Sequence, residues 1–178
     1  KSISRLIASF VWTAPLLAQS GPDAPYAFSP QARAVVQRLS SFASLDARDW
    51  QYHEGPVEHG ESPDLDTSNW KTVRLPFVAP PEEIWLRRWI EIPKSLNGYD
   101  ITGTQITFKI DVGGFGPGRG YLYEMIYFNG RRVIEGTYIA PRTLIESAKP
   151  GDKVLIAIKM PHTMEIKHFE GAFVDVNF

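Results

Sequence analysis

The chain has 178 residues, with 19 Lys and Arg against 20 Asp and Glu and a formal net charge of −1. This length suits one domain with an ordinary buried core, and the charge balance argues against both a nucleic-acid-binding face and an electrostatic membrane anchor. The absence of cysteine excludes disulfides, thiolate metal sites and cysteine nucleophiles, although it does not fix the compartment.

The first 20 residues are predicted to be a secretory signal peptide. Lys1 and Arg5 supply a positive start, residues 6–18 form an apolar run, and Leu16-Leu17-Ala18 ends in a small residue suited to cleavage. The run is too short to span a bilayer comfortably, and the alternative is a buried N-terminal helix. We therefore expect a periplasmic or secreted protein that has no membrane attachment after cleavage.

Residues 21–46 are predicted to hold a linker and one short amphipathic helix. Ser29-Pro30 is typical of an N-cap followed by proline at the first helical position. Apolar residues then recur at helical spacing, at Ala32, Val35, Val36, Leu39, and Phe42 or Ala43. This spacing predicts a helix that ends near Ser44 and docks on the sandwich or on a partner domain.

Residues 47–178 follow a period of two, which predicts β-strands. About nine short strands are expected, at 50–53, 70–76, 85–93, 105–112, 121–128, 131–136, 141–146, 154–160 and 165–178. Turn signals separate them, at 78–81, Asn97-Gly98, Asn129-Gly130 and 149–152. Short strands between turns predict an all-β, antiparallel β-sandwich, most simply a jelly roll.

The stretch 85–93 is predicted to be the central strand. One face, expected to meet the core, carries Leu86, Arg88, Ile90 and Ile92, and the other carries Trp85, Arg87, Trp89 and Glu91. A buried guanidinium needs a partner, so Arg88 is predicted to anchor an internal ion pair. The strand at 121–128 is apolar on both faces, which indicates an interior strand or one covered by another domain.

Two polar stretches suggest ligand chemistry, but each has a favoured structural interpretation. The glycine-rich stretch 113–120 lacks the following helix and the Lys-Ser/Thr pair of a phosphate cradle, so a flexible connection is favoured. The loop 53–69 holds two histidines among acidic residues: His53, His59, Glu54, Glu58, Glu61, Asp64 and Asp66. A zinc or calcium site is one hypothesis there, and a solvated acidic loop is the favoured one.

No residue is assigned to catalysis. The carboxylate pairs Glu82-Glu83, Asp64 with Asp66, and Glu165 with Glu170 lack a distinctive context, and no serine lies in a nucleophile elbow. A sugar-stacking platform is another hypothesis, from Trp50, Tyr52, Trp70, Trp85 and Trp89. Core packing is favoured for Trp50, Trp70 and Trp85, whereas Trp89 is expected to be exposed or covered by a second domain.

Four stretches share the pattern of a known domain type. They are Trp70-Lys71-Thr72-Val73-Arg74-Leu75-Pro76, Trp85-Leu86-Arg87-Arg88-Trp89-Ile90-Glu91-Ile92-Pro93, Tyr127-Phe128-Asn129-Gly130-Arg131-Arg132-Val133 and Pro150-Gly151-Asp152-Lys153-Val154-Leu155-Ile156-Ala157-Ile158-Lys159. With them, the chain from about residue 50 onward resembles the galactose-binding-like, jelly-roll domains that precede the catalytic domain of multidomain glycoside hydrolases.

A second resemblance is more specific. The predicted helix and His59-Gly60-Glu61-Ser62-Pro63-Asp64-Leu65-Asp66 are similar to the N-terminal region of exported bacterial α-mannosidases of glycoside hydrolase family 38. Leu86 departs from the aromatic residue that the domain type often has there. The zinc ligands and the carboxylate nucleophile of such mannosidases lie in a catalytic domain that this sequence does not contain. The resemblance therefore implies no catalytic residue, metal site or cofactor in this chain, with zinc belonging to the parent's catalytic domain.

The resemblance implies an accessory domain whose partners are the catalytic domain of the same polypeptide and, as a further ligand, an oligosaccharide. The strand pattern continues up to Phe178, and we interpret this as a sign that the chain is a fragment of a longer polypeptide. The expected carbohydrate contacts are Trp89, Arg119, Tyr121 and Tyr123. Loops 78–84 and 113–120, at one end of the sandwich, are the hypothesised carbohydrate or interdomain surface.

Two alternatives stay open. An autonomous carbohydrate-binding module predicts a solvated face that carries aromatic residues. A purely structural interdomain module predicts an apolar docking patch, formed by Trp89, Tyr121, Tyr123 and Tyr127. The apolar character of both faces of 121–128 favours the structural module over the autonomous one.

Overall fold

The computed structural model describes residues 29–32, 34–35, 43–114, 122–137 and 140–178. They form thirteen strands: β1 Ser44–Leu45, β2 Asp49–Glu54, β3 Lys71–Arg74, β4 Phe77–Ala79, β5 Ile84–Glu91, β6 Ser95–Leu96, β7 Tyr99–Asp100, β8 Gln105–Gly114, β9 Glu124–Phe128, β10 Arg131–Gly136, β11 Arg142–Ile145, β12 Lys153–Met160 and β13 Lys167–Asn177. The predicted signal peptide, Arg119 and Tyr121 lie outside the described residues, so what the sequence indicates for them stays a prediction.

The strands build two antiparallel sheets, so the prediction of an all-β sandwich is confirmed. The smaller sheet has five strands, in the order β1-β13-β8-β11 with β4 also paired to β13. The larger sheet has six strands, in the order β10-β9-β12-β5-β2-β3, and β6 with β7 forms a separate hairpin. In the larger sheet, β5 pairs with β12 through its whole length, from Glu91 opposite Lys153 to Ile84 opposite Met160.

The core lies between the two sheets and follows from the alternation within each strand. β8 contributes Ile106, Phe108 and Ile110, while β5 contributes Leu86 and Ile90, and all five are buried. Trp50 of β2 tilts against Phe108 of β8 with ring centroids 6.2 Å apart, which connects the two sheets. Every second residue faces inward because successive side chains of a strand point to opposite faces.

Turn chemistry places most strand ends where the sequence predicts them. Asn129 and Gly130 join β9 to β10 with φ of 49° and 80°, and Asn97 and Gly98 join β6 to β7 with φ of 52° and 88°. Positive φ at both central residues is the geometry that Asn-Gly tolerates and that matches the twist of a hairpin. The interior position predicted for the strand at 121–128 is confirmed for β9, which lies between β10 and β12.

Four of the thirteen strands, β1, β4, β6 and β7, were not predicted, and one predicted turn and the predicted helix also differ from the structure. The turn predicted at 78–81 is partly strand, because Phe77–Ala79 pairs with β13 as β4. The predicted helix has its N-cap, since the Ala32 amide donates to Ser29 Oγ at 3.1 Å, and residues 30–32 and 34–35 are helical. It does not continue to Ser44, which begins β1 and pairs with Asp175 of β13.

Among the residues that the structure describes, no helix has the length and apolarity needed to cross a membrane.

Candidate functional site

A segment that we call the strap, residues 55–70, crosses the outer face of the six-stranded sheet. A Cβ on Gly60 would lie 2.6 Å from the indole ring of Trp85, and one on Gly130 would lie 3.3 Å from Cδ of Pro63. The strap therefore touches both β5 and the β9–β10 turn. Glu58, Asp64 and Asp66 are exposed, as the favoured interpretation of a solvated acidic loop predicts, whereas Gly60, on the side that faces the sheet, is buried.

Arg87 attaches the strap to the sheet. Its side chain is 1% exposed, Nη2 donates to the Ser62 carbonyl at 2.7 Å and Nη1 to the Leu65 carbonyl at 3.5 Å. The guanidinium carbon lies 5.7 Å from the ring centroid of Trp70, within cation–π range. Burial lowers the pKa of Arg87. Sequence reasoning assigned Arg87 to the face away from the core, which is right, but gave it no role because the strap was not foreseen.

Arg88 points to the inner side and is held by backbone carbonyls. It donates to the carbonyls of Asp49 and Asp46, and burial lowers its pKa. Among the described residues it forms no salt bridge, so the predicted internal ion pair is wrong. The reason is local, because the pairing between β2 and β5 ends where Gln51 lies opposite Arg87. The carbonyls of Asp46 and Asp49, which precede Gln51, can therefore accept hydrogen bonds from the guanidinium of Arg88.

A cleft of about 340 Å³ opens where β2 leaves β5. It is lined by Asp49, Trp50, Gln51, Thr72, Arg87, Arg88 and Trp89. Trp89 is 46% exposed, in line with the expectation that it is exposed or covered by a second domain. Trp50 and Trp85, at 1% and 2% exposure, are buried as predicted. Trp50 lies between the sheets, whereas Trp85 lies under the strap.

Of the expected carbohydrate contacts, the structure describes Trp89 and Tyr123. Trp89 of β5 pairs with Leu155 of β12, and the next residue of β12, Ile156, pairs with Phe128 of β9. Tyr123 precedes Phe128 by five positions, which corresponds to about 17 Å along a strand. The hydroxyl of Tyr123 is hydrogen-bonded to the Glu135 carboxylate, which raises its pKa. Trp89 and Tyr123 are therefore separate surfaces.

Of the docking patch suggested for a structural module, the structure describes Trp89, Tyr123 and Tyr127. Tyr127 is half-buried, and its ring stacks on Trp85 with centroids 6.0 Å apart. Its ring therefore packs against the outer face of the sheet. A partner that touched Trp89 and Tyr123 together would have to span the length of β9.

Lys167 fixes one end of the sandwich. It is 0% exposed, and Nζ donates to the carbonyls of Pro80, Pro81 and Glu82 at 3.0, 2.7 and 2.7 Å. An ammonium has three donors, so this turn satisfies it fully; burial lowers its pKa. Lys167 also pairs with Ala79 on one side and Gly114 on the other, which places the starts of loops 78–84 and 113–120 at the same end. Sequence reasoning missed Lys167, although it shares a strand face with the buried Phe169.

Glu124 is a second buried charge that sequence reasoning missed. It is 4% exposed and shares the inner face of β9 with Ile126. Burial, with a smaller contribution from the negative charge of Asp111, raises its pKa to about 8. Its Oε2 has no hydrogen-bond partner among the described residues. The sequence signal for this buried charge is a carboxylate among the inward-facing residues of an otherwise apolar strand.

The other acidic groups do not converge. In the described part of the chain, no three His, Asp or Glu side chains are grouped as metal ligands would be. Glu83 pairs with Lys159 at 3.2 Å, and Asp66 accepts the Ser68 amide at 2.9 Å, which lowers its pKa. These two carboxylates, named in the sequence-based pairs, have structural partners instead of a shared site.

No protein-family model matches the chain, and no curated protein matches it. Solved structures do match. A glycoside hydrolase family 2 member from Bacteroides cellulosilyticus DSM 14838 is 21% identical with a TM-score of 0.55, over 75% of this chain and 20% of that one. A β-glucuronidase from glycoside hydrolase family 2 is 16% identical with a TM-score of 0.50, over 66% of this chain and 14% of that one. A Bacteroides uniformis β-glucuronidase is 15% identical with a TM-score of 0.50, over 74% and 17%.

This likeness concerns the fold. The chain spans a fifth or less of the length of these three proteins. A sandwich domain of the kind found in glycoside hydrolases fits the match. None of the three is a family 38 α-mannosidase, so the more specific resemblance gains no support from them.

Proposed function

We propose that the chain is a non-catalytic accessory β-sandwich domain of an exported glycoside hydrolase. The observation that carries the proposal is the match in fold to family 2 members, of which this chain spans only 20% or less. In an enzyme of which this domain is so small a part, catalysis belongs to the rest of the polypeptide. Export rests on the signal-peptide pattern of residues 1–20.

For the parent enzyme, we favour a family 2-like glycosidase over an α-mannosidase. The resemblance to family 38 rested on the predicted helix and on residues 59–66, and residues 59–66 belong to the strap. Their contacts with Trp85, Arg87 and Gly130 serve this domain's own stability, so an α-mannosidase is not needed to explain them. Fold alone does not assign an activity, and the substrate of the parent is therefore left to experiment.

The docking surface of this domain is proposed to be the end held by Lys167. Three apolar side chains are exposed on or next to its strands: Val78 at 54%, Met164 at 98% and Ile166 at 47%. The Thr163 amide donates to the Pro81 carbonyl at 2.8 Å, which joins the segment before β13 to the turn at 80–82. A rigid end with exposed apolar side chains suits packing against a second domain of the same polypeptide.

The first test separates an accessory domain from an enzyme. The 178-residue chain is incubated with aryl β-glucuronides, β-galactosides and α-mannosides, and release of the aryl group is followed. We expect no turnover above that of buffer. Turnover that co-purifies with the folded chain would overturn the proposal.

The second test addresses docking. Met164→Asp is introduced into the 178-residue chain and into the polypeptide encoded by the complete gene, with Phe173→Asp, 41% exposed farther along β13 in the same sheet, as the control. Met164→Asp is expected to leave the unfolding of the short chain unchanged and to lower the melting temperature and activity of the long polypeptide. Equal effects of the two variants in the long polypeptide would count against this surface.

A further inference from the structure

The chain contains the dipeptide Asn-Gly twice, and each copy forms the turn of a hairpin. Asn97-Gly98 joins β6 to β7 and Asn129-Gly130 joins β9 to β10, with positive φ at all four residues. The other two asparagines, Asn69 and Asn177, precede a tryptophan and a phenylalanine. Because glycine has no Cβ, its backbone nitrogen can approach the side chain of a preceding asparagine with little hindrance. The two Asn-Gly turns are therefore where this chain could lose a side-chain amide by spontaneous chemistry.

The reaction needs only the dipeptide and water. The glycine nitrogen attacks Cγ of the asparagine and gives up its proton to solvent. The new N–Cγ bond closes a succinimide ring, the Cγ–Nδ2 bond breaks, and ammonia leaves. One water then opens the ring at either carbonyl, which leaves an aspartate or an isoaspartate. No oxidant, reductant or cofactor takes part.

The hairpin geometry holds back this attack, since ring closure requires the backbone at the asparagine to rotate out of the turn. The rate then depends on how often the turn opens, and local opening free energies vary widely within one protein. The two turns have the same reacting dipeptide. A difference between their rates in the folded chain would therefore report a difference between their opening free energies.

The turn at Asn129 is tied to the body of the sandwich. Asn129 Oδ1 accepts the Leu155 amide at 2.8 Å, and the Asn129 amide donates to the Leu155 carbonyl at 2.9 Å. A Cβ on Gly130 would lie 3.3 Å from Cδ of Pro63 in the strap. The strand before this turn, β9, pairs with both β10 and β12. Opening this turn would break contacts with β12 and with the strap.

The turn at Asn97 has a much smaller frame. Asn97 and Gly98 are exposed, and a Cβ on Gly98 would have nothing within 4 Å. β6 pairs with β7 through Ser95 opposite Asp100 and Leu96 opposite Tyr99, in a two-stranded sheet separate from the other two. A two-stranded hairpin by itself is marginally stable in water. This turn should therefore open at a lower free energy than the turn at Asn129.

We propose that Asn97 is a site of spontaneous deamidation and isoaspartate formation, and that the fold protects Asn129 from the same reaction. The isoaspartate product lengthens the backbone by one carbon atom within a two-residue turn, and either product adds a carboxylate close to Asp100. This inference goes beyond the proposed function and does not depend on it.

The experiment compares the two sites within one sample. The folded 178-residue chain is kept in mildly alkaline water enriched in heavy oxygen, then digested with trypsin in ordinary water and followed by mass spectrometry. Cleavage after Lys and Arg places Asn97 in residues 95–109 and Asn129 in residues 120–131. Heavy oxygen in a side chain marks deamidation that occurred in the folded chain. We expect conversion at Asn97 to be at least about tenfold faster than at Asn129, which corresponds to about 1.4 kcal/mol in opening free energy.

Two controls separate the fold from the local sequence. In guanidinium chloride, where both turns are open, the two peptides are expected to convert at similar rates. Asn97→Gln is expected to remove most of the mass gain of the intact folded chain, because the longer side chain must close a six-membered ring. Equal conversion of the two peptides in the folded chain, or faster conversion at Asn129, would overturn the inference. A ratio that persists in guanidinium chloride, or a mass gain that persists in Asn97→Gln, would also overturn it.

Discussion

The two faces of the six-stranded sheet are both buried near β5, but by different means. The inner face is apolar: Leu86 and Ile90 lie opposite Ile158 and Val154 of β12 and pack against the other sheet. The outer face carries Trp85 and Arg87 under the strap, and its cover depends on hydrogen bonds and close contacts with Gly60. Hydrophobic packing is non-directional, whereas the strap requires particular atoms in particular places.

This difference shows in the polar atoms. Among the described residues, the buried atoms without a hydrogen-bond partner include four on the outer face and two on the inner side. The four are His53 Nδ1, Glu83 Oε1, Trp85 Nε1 and Arg87 Nε, and the two are Arg88 Nε and Glu124 Oε2. Such groups are uncommon in folded proteins because each costs free energy. The outer face is therefore expected to open more easily than the inner one.

The largest expected effect is on the inner face. Leu86→Ala removes a side chain that is 0% exposed, and we expect it to lower the free energy of unfolding by about 2–5 kcal/mol. Urea unfolding of the 178-residue chain measures this. Val78→Ala, at a side chain that is 54% exposed, is the control and should change stability by less than about 0.5 kcal/mol. Similar losses for both would contradict the assignment of the core.

Glu124 tests how strongly the inner face rejects charge. Its raised pKa, to about 8, means that the folded chain binds the proton more tightly than the unfolded chain. The contribution of Glu124 to stability should therefore be fully present below its unfolded pKa and fall as pH rises from that value to about 8, by up to about 1.4 kcal/mol per pH unit. Glu124→Gln should remove that slope. Unfolding measured at several pH values checks it, and an unchanged slope in the variant would assign it to another group.

The strap is probed at Gly60. A methyl group there meets the Trp85 ring at 2.6 Å, so Gly60→Ala forces the strap or the indole to move and is expected to cost about 1–3 kcal/mol. Gly113→Ala is the control, since a Cβ at Gly113 has nothing within 4 Å. Faster amide exchange in the strap of Gly60→Ala, with β12 unchanged, would locate the loss. A neutral Gly60→Ala would mean that the strap is not tightly seated.

The smallest effect is expected at Trp89. Because its side chain is 46% exposed, Trp89→Ala should alter the free energy of unfolding by less than about 0.5 kcal/mol. Thermal unfolding of the variant beside the unmodified chain checks this. A large destabilisation would mean that Trp89 is part of the covered outer face.

Much of the fold was predictable because it depends on local pattern. The alternation in 105–112 and 154–160 matches β8 and β12, and Asn129-Gly130 forms its hairpin because few other residue pairs tolerate two positive φ values. The candidate site was less predictable. Trp89 was singled out, but its neighbours in the cleft, Gln51 and Thr72, come from strands distant in sequence.

The amino-acid sequence by itself determined the strands, their turns and the inner row of β5, since each depends on the period of a few neighbouring residues. Only the tertiary structure decided what covers the opposite row. Arg87 and Arg88 are adjacent in β5, and the alternation of the strand assigns them to opposite faces without giving either a partner. The strap covers Arg87, which donates to the carbonyls of Ser62 and Leu65. Arg88 donates to the carbonyls of Asp46 and Asp49, where β2 is no longer paired with β5. Contacts between distant segments depend on how the whole chain packs, and no periodicity records them.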